Sequence, residues 1–239
     1  MTVKRALLVY GVVFLLALPL TFPVRLLAGL VTLPSGVASA PVKGSLWSVR
    51  LDWVRVGAIQ VRDLRVRPSI FGWFHGAPLK LSLSEPFAVE ANVGSREDGA
   101  TLRELLASTR LEVLRDLLKI PPLGFDALIT LTVDEAAIAG DNCQQLAGEL
   151  VLSAFEGNID GVSQLSPITG NLSCEGGRII LSVNPDNSLR LSGNAVFSAT
   201  GHYQLNMTAE PPPGPVFETF VDLLGQPRDG KRFQLNFRS

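Results

Sequence analysis

Leu79-Lys80-Leu81-Ser82-Leu83-Ser84 and, past Pro86, Phe87-Ala88-Val89-Glu90-Ala91-Asn92-Val93 put an apolar residue at every second position. Successive side chains of a β-strand point to opposite faces. A period of two therefore describes strands with one face buried and the other in water. The alternation continues in both directions. Upstream, Val49, Leu51 and Trp53 alternate with Arg50 and Asp52. The phase slips at Trp53-Val54, as at a β-bulge, and Gly57-Ala58 turns a hairpin into Ile59, Val61, Leu64 and Val66. Downstream come Ile129, Leu131 and Val133; Leu146, Leu150 and Leu152; Ile179, Leu181 and Val183; Leu189 and Leu191; Tyr203, Leu205 and Met207; and Phe233, Leu235 and Phe237. Gly, Pro, Asn or Asp separate most of these runs. The connections are short, so about ten strands meander as an antiparallel sheet.

Two segments break the rhythm. Thr101 to Lys119 reads as an amphipathic helix: Thr101 and Glu104 match a capping box, and Pro121-Pro122 stop it. Leu102, Leu105, Leu106, Val113, Leu114, Leu117 and Leu118 share its broad apolar face. A short C-terminal helix starts at Pro215 and ends before Gly225, with Phe217, Phe220, Val221 and Leu224 on its apolar side and the stiff spacer Pro211-Pro212-Pro213 before it. The exported chain thus divides into a sheet over 42–95, a helix over 101–119 and a second sheet over 124–239. Whether the two sheets are one, wrapped around the helix, is left open by the pattern.

The composition fits that reading. Of 239 residues, 46% are hydrophobic and 18% charged, with a net charge of -1, so the chain can build a core and is not disordered. The near-neutral balance argues against a dedicated nucleic-acid binder.

Ala6 to Val24 carry no charge. As a helix they span roughly 28 Å, the thickness of a bilayer core. Lys4 and Arg5 precede them, which keeps the N-terminus cytoplasmic and exports the remainder. Residues 1–25 therefore read as a cytoplasmic tip and transmembrane anchor, 26–41 as a linker, and 42–239 as a β-rich domain in an oxidising space, a bacterial periplasm. The alternative is a cleaved signal peptide. Its Ala38-Ser39-Ala40 site lies far from the apolar run and is followed by Pro41, and the run is too long for such a signal.

Cys143 and Cys174 are the two cysteines, and an even pair in an exported domain reads as a disulfide. Two unpaired buried thiols are the alternative. A metal site is disfavoured, because there is no Cys-x-x-Cys and neither histidine is near either cysteine. The chain has no Gly-x-Ser-x-Gly elbow, His-Glu-x-x-His or P-loop. His75 reads as an exposed loop residue in a Gly-rich turn, His202 as a turn or sheet residue at the start of a strand, and Asp134-Glu135 and Glu97-Asp98 as solvated ends in turns. The expectation is a protein that is not an enzyme and has no cofactor.

Residues 43–67 hold Lys43, Arg50, Arg55, Arg62, Arg65 and Arg67 against Asp52 and Asp63. A charged outer sheet face accounts for them by alternation alone; contact with anionic headgroups is the sharper reading. The aromatic turn Phe71-Gly72-Trp73-Phe74 leaves two readings open. Phe71, Trp73 and Phe74 either meet a membrane interface or a partner, or fold back onto the core.

Four features together resemble protein N of the type II (general) secretion pathway. They are the basic N-terminus with one membrane helix; Leu33-Pro34 followed by Val42-Lys43-Gly44-Ser45-Leu46-Trp47; a mid-chain helix; and Cys143 ahead of Leu146, Gly148 and Leu150, paired with Cys174 in Gly170-Asn171-Leu172-Ser173-Cys174-Glu175-Gly176-Gly177. The resemblance implies an inner-membrane accessory of the machine that moves folded proteins out of the periplasm, with other secretion components and the inner membrane as partners and no catalytic residues. The family is also similar to AsmA-like proteins, which implies a curved, groove-like sheet suited to lipid. Within the motif, Gly44 is expected to allow a tight turn, and Trp47 to bury its ring and anchor the first strand.

Overall fold

The computed structural model describes residues 37–45, 47–56, 59–96, 98–118, 124–198, 202–227 and 229–238. The expected membrane helix, the Gly57-Ala58 turn, Leu46 and Pro121-Pro122 lie outside these residues. Among the described residues no helix is long and apolar enough to cross a membrane.

Alternating sequence becomes sheet almost throughout. Among the described residues fourteen strands form a single antiparallel sheet. They are β1 (Val37–Ser39), β2 (Lys43–Ser45), β3 (Ser48–Val56), β4 (Ile59–Pro68), β5 (Leu79–Leu83), β6 (Ala88–Arg96), β7 (Gly99–Arg110), β8 (Phe125–Ala139), β9 (Asn142–Gly157), β10 (Ile168–Glu175), β11 (Arg178–Val183), β12 (Ser192–Phe197), β13 (Tyr203–Ala209) and β14 (Phe233–Arg238). From β3 to β14 each strand pairs with the next in the chain; β1 and β2 both lie on the outer edge of β3, and β14 forms the opposite edge of this open sheet. Among the described residues three α-helices interrupt it: α1 (Ile70–Phe74), α2 (Leu111–Leu118) and α3 (Pro215–Leu224).

The mid-chain helix expected over 101–119 is a correction. Thr101 to Arg110 belong to strand β7, and only Leu111–Leu118 is helical. The cause is a β-bulge. Glu90 pairs with Leu106 and Asn92 with Arg103, so one extra residue of β7 faces β6 there, and Glu104 has φ 50°. The inserted residue puts Leu102 and Leu105 on the same sheet face at a spacing of three, which imitates one side of a helix. Similar shifts in the β8–β9 pairing set Val133 and Ala136, and Leu152 and Phe155, on one face, the second beside Ala154 at φ 49°. The slip expected at Trp53-Val54 is a distortion without change of register: Leu51 faces Leu64 and Trp53 faces Arg62, with Asp63 at φ 53° between. The two expected sheets are one, joined through β7 and β8.

Register carries one apolar face across the whole sheet. Leu79, Val93, Leu102, Ala136 and Leu146 are aligned across β5–β9, and Leu172, Leu181, Ala195, Leu205 and Phe237 across β10–β14. One end of this face is closed. The long connections β7–β8, β9–β10, β11–β12 and β13–β14 all emerge there. Ala127, Phe155, Ile168, Leu189 and Val216 form the buried cluster, with Leu111 of α2 and Phe220 of α3 packed against it. Phe217 and Phe220 contact Phe233 at 5.3 and 5.4 Å between ring centroids. Asn187 organises the β11–β12 loop: its Nδ2 donates to the Asn184 and Leu191 carbonyls, and its Oδ1 accepts from the Leu189 and Leu191 amides.

At the same end Asp126 fixes the strand-to-helix corner. One carboxylate oxygen accepts from the Glu112 amide in the first turn of α2 (2.9 Å), and the other from Arg110 (2.8 Å). Burial pushes this carboxyl up, but the hydrogen bonds from Arg110 and from the Glu112 and Ala127 amides outweigh it, and its pKa lies below the ordinary aspartate value. At the other end of the sheet no helix among the described residues covers the apolar face. Leu79, Ile138, Phe197 and Phe237 are exposed there.

Candidate interaction surface

The connection between β4 and β5 contains no acidic residue and holds the most exposed of the large apolar side chains among the described residues. Its base is tightly built. Ser69 caps α1 by accepting the Gly72 amide on its hydroxyl (3.0 Å), and the Ser69 amide donates to the Pro78 carbonyl (2.7 Å), which closes the loop. His75 and Ala77 both donate backbone N–H groups to the Gly72 carbonyl, at 3.1 and 2.8 Å. Ala77 is buried, and the Thr101 hydroxyl donates to the Gly76 carbonyl at 3.2 Å. Gly94 pairs with Thr101, and a Cβ at Gly94 would stand 1.8 Å from the Gly76 oxygen, so glycine is what lets the loop lie down on the sheet. Gly94 and Thr101 point away from Val93 and Leu102. The loop therefore rests on the sheet face opposite α2 and α3.

Above this base stand Ile70, Trp73 and Phe74, with 72%, 72% and 83% of their surface exposed. Of the two readings left open for the aromatic turn, folding back onto the core does not hold for Trp73 and Phe74, which project. The Phe71 side chain lies outside the described residues. Ile70 completes the apex; its place at the first helical position, one turn from Trp73 and Phe74, is the signal a search confined to aromatics passes over.

The basic residues nearby are mostly paired. Arg50 and Arg65 both reach Asp63 at 2.8 Å, Lys80 reaches Glu90 at 2.9 Å, Arg62 reaches Glu85 at 3.6 Å, and Lys43 pairs with Asp52. The hydrogen-bonded Arg65 holds the Asp63 carboxyl below the usual carboxylate range, with Arg50 adding to the pull against some desolvation. Arg55 lies 6.0 Å from the centre of the Trp53 ring and donates to Gln60. Arg67 has no acidic partner among the described residues. It faces Lys80 across β4–β5, on the side of the sheet where the α1 loop lies.

The Gly44-Ser45-Leu46-Trp47 segment makes the β2–β3 hairpin. Ser45 faces Ser48, and the Ser45 hydroxyl accepts the Trp47 amide at 3.3 Å. Gly44 has φ 103°, and a Cβ there would meet the Ser48 carbonyl oxygen at 2.0 Å, so the expected tight backbone approach is present. Trp47 corrects an expectation: its side chain is 46% exposed, so it does not anchor the first strand in a core. Trp47 stands at the tip of a hairpin at the end of the sheet, where little among the described residues covers it. Cys143 and Cys174 form a disulfide, with Cα atoms 5.6 Å apart, that ties β9 to β10 at the open end. It does not meet the α1 apex; five strands separate the two.

His75 is an exposed turn residue, and His202 is exposed directly ahead of β13. Asp134 and Glu135 lie within β8 at its bulge rather than in a turn, and Glu135 accepts from Arg103 and Gln145. Among the described residues no group of three or more His, Cys, Asp or Glu side chains converges as metal ligands. A cleft of about 630 Å³ is bounded by Arg190, Glu210, the Pro211–Pro213 run and Lys231, and one of about 460 Å³ by Asp63, Arg65, Glu90, Leu106 and Ser108. Neither brings a hydroxyl or thiol together with a histidine base.

The profile of the type II secretion system (T2SS), protein N, matches residues 35–236, which takes in thirteen complete strands and most of the fourteenth. The chain belongs to the type II secretion protein N family. No curated protein and no solved structure matches it. For a member of this family the geometry offers contact surfaces: a rigid aromatic apex on one face and, on the other, an apolar sheet open at one end.

Proposed function

We propose that this protein N family member is an accessory inner-membrane component of the type II secretion system. It acts by protein–protein contact in the export of folded proteins across the outer membrane, and it is not an enzyme. The match over residues 35–236 carries the reading. Support for the topology comes from the uncharged stretch 6–24 after Lys4 and Arg5, which favours a single pass with a cytoplasmic N-terminus, and from the disulfide, which suits an oxidising compartment on the far side. The partners are other components of the secretion system. Deleting the gene and assaying secreted proteins in the medium tests this. Export is expected to fall and to recover on complementation; undiminished export defeats the proposal. A C-terminal reporter that is active only outside the cytoplasm checks the topology.

One observation favours a second reading, an AsmA-like lipid-handling module. The apolar sheet face runs through the aligned strands β5–β14 and, among the described residues, is covered by helices at one end only. Lipid extraction and mass spectrometry of the purified exported segment, free of detergent, separates the two: stoichiometric co-purifying lipid supports the second reading, and none removes it.

A further inference from the structure

We infer that the α1 apex is a bilayer-contacting element. Ile70, Trp73 and Phe74 enter the boundary between headgroups and acyl chains of an anionic phospholipid bilayer, while Arg67 and Lys80 beneath them meet the phosphates. The inference stands apart from the secretion assignment, because it uses only the loop and its surroundings.

Four observations carry it. First, the apex side chains are those that suit a membrane interface: a tryptophan, a phenylalanine and an isoleucine on one short helix, each more than two-thirds exposed. Second, the exposure is not looseness. The base is fixed by the Ser69 cap, the Ser69–Pro78 closure, the Thr101 bond and the Gly94 seat, so water-facing aromatics are held outward by the fold. Third, the charge is complementary to an anionic surface. From Leu64 to Ser84 the chain carries Arg65, Arg67 and Lys80 and no Asp or Glu. Arg67 and Lys80 are cross-strand partners on the face where the loop lies, and only Lys80 is engaged, with Glu90. Fourth, the apex is small. Two aromatics so exposed offer roughly 300 Å². A stable protein interface needs about 800 Å² from each partner and a complementary shape, whereas a fluid bilayer needs neither.

The topology permits contact with the bilayer that residues 6–24 are expected to cross. Val37 enters the sheet opposite Val56, at the end of β3 and β4 away from α1. The length of β4 between them is roughly 30 Å. Twelve residues from Arg25 to Val37 reach up to roughly 40 Å, enough for the sheet to lie along the surface with its apex down.

The test uses the full chain with Trp47→Phe and Trp53→Phe, which leaves Trp73 as the sole tryptophan. The protein is reconstituted into phosphatidylcholine vesicles with and without phosphatidylglycerol. With phosphatidylglycerol, Trp73 emission is expected to shift to shorter wavelength, to be quenched by lipid brominated near the headgroup, and to lose several-fold of its quenching by acrylamide. Arg67→Gln with Lys80→Gln is expected to abolish the dependence on phosphatidylglycerol while leaving the far-ultraviolet dichroism unchanged. Trp73 that stays open to acrylamide and untouched by brominated lipid overturns the inference. So does Trp73 shielded from both quenchers, which would place a protein or a second copy on the apex. Retained phosphatidylglycerol dependence in the double variant overturns the role given to the basic pair.

Discussion

The two ends of the sheet solve the same problem differently. At the closed end an alternating strand pattern meets long connections, and α2, α3 and two loops fold over the apolar face to make a core around Phe155 and Val216. At the open end Leu79, Ile138, Phe197 and Phe237 of the same face are exposed among the described residues, and ladder hydrogen bonding, the strand connections and one disulfide hold the strands together. The lesson is that period-two sequence specifies which face is apolar but not how that face is covered; the connections decide that, and here those that fold over the apolar face leave at one end, while the β4–β5 connection at the other end lies on the opposite face.

The sharpest way to break the comparison is to truncate one aromatic at the closed end. Phe155→Ala is expected to cost about 3–5 kcal/mol, because a ring that is 4% exposed leaves a cavity beside Ala127 and Ile168. Chemical denaturation with and without the substitution reads the difference. A cost below about 1 kcal/mol would mean that the closed end is not a packed core.

The second test addresses the open end. Removing the disulfide with Cys143→Ser and Cys174→Ser, whose cysteines lie 31 residues apart, is expected to cost about 3–4 kcal/mol in the chain-entropy description. Amide exchange is expected to rise first along the β9–β10 ends near Cys143 and Cys174, while the Phe155 cluster keeps its protection. Uniform loss of protection would mean that the two ends unfold as one unit.

What could be read beforehand follows the same division. Most of the strands, their antiparallel meander and the C-terminal helix were legible, because Pro215, Gly225 and unbroken alternation are local signals, but Leu189 and Leu191, read as a strand, lie in the β11–β12 loop. The cysteine pairing was legible too, though the alignment of β9 with β10 that brings the two together is a tertiary fact. The stretch 101–110 was misread because a bulge at Glu104 converts the strand period into a helical spacing, and no single-residue preference announces a bulge at a glutamate. Trp47 was misread because burial depends on what lies beyond a turn, and here the described residues leave it 46% exposed. In the α1 loop the aromatics were visible, but their outward setting depends on Gly94 and Thr101, some twenty residues or more away in sequence.

A smaller effect sharpens how the closed end is assembled. Asp126→Asn is expected to cost about 1 kcal/mol, the scale of a lost helix-cap bond. The sign with pH follows from the lowered pKa. The folded state binds the Asp126 proton less readily than the unfolded chain, so the contribution is full above the ordinary aspartate value of about 3.9 and is lost as pH falls through the lower folded value. The stability gap between wild type and variant is therefore expected to be constant at neutral pH and to close in acid. A gap that widened on acidification would exclude the carboxylate as the source.

The smallest expected effect on stability is at the apex, and its smallness is what gives it weight. Trp73→Ala and Phe74→Ala remove side chains as large as Phe155, yet each is expected to shift the denaturation midpoint by no more than about 0.5 kcal/mol in stability, because little of either ring is covered. Equal truncations that cost several kcal/mol at one end and almost nothing at the other would establish that the apex contributes nothing to holding the fold. Large apolar side chains that do not stabilise their own domain are a solubility liability, and a rigid base built from Ser69, Gly72, Gly94 and Thr101 is hard to account for if the apex has nothing to meet. If instead either substitution lowered stability by 2 kcal/mol or more, the rings would have to be buried in solution, and the contrast between a covered and an uncovered end would give way to two covered ones.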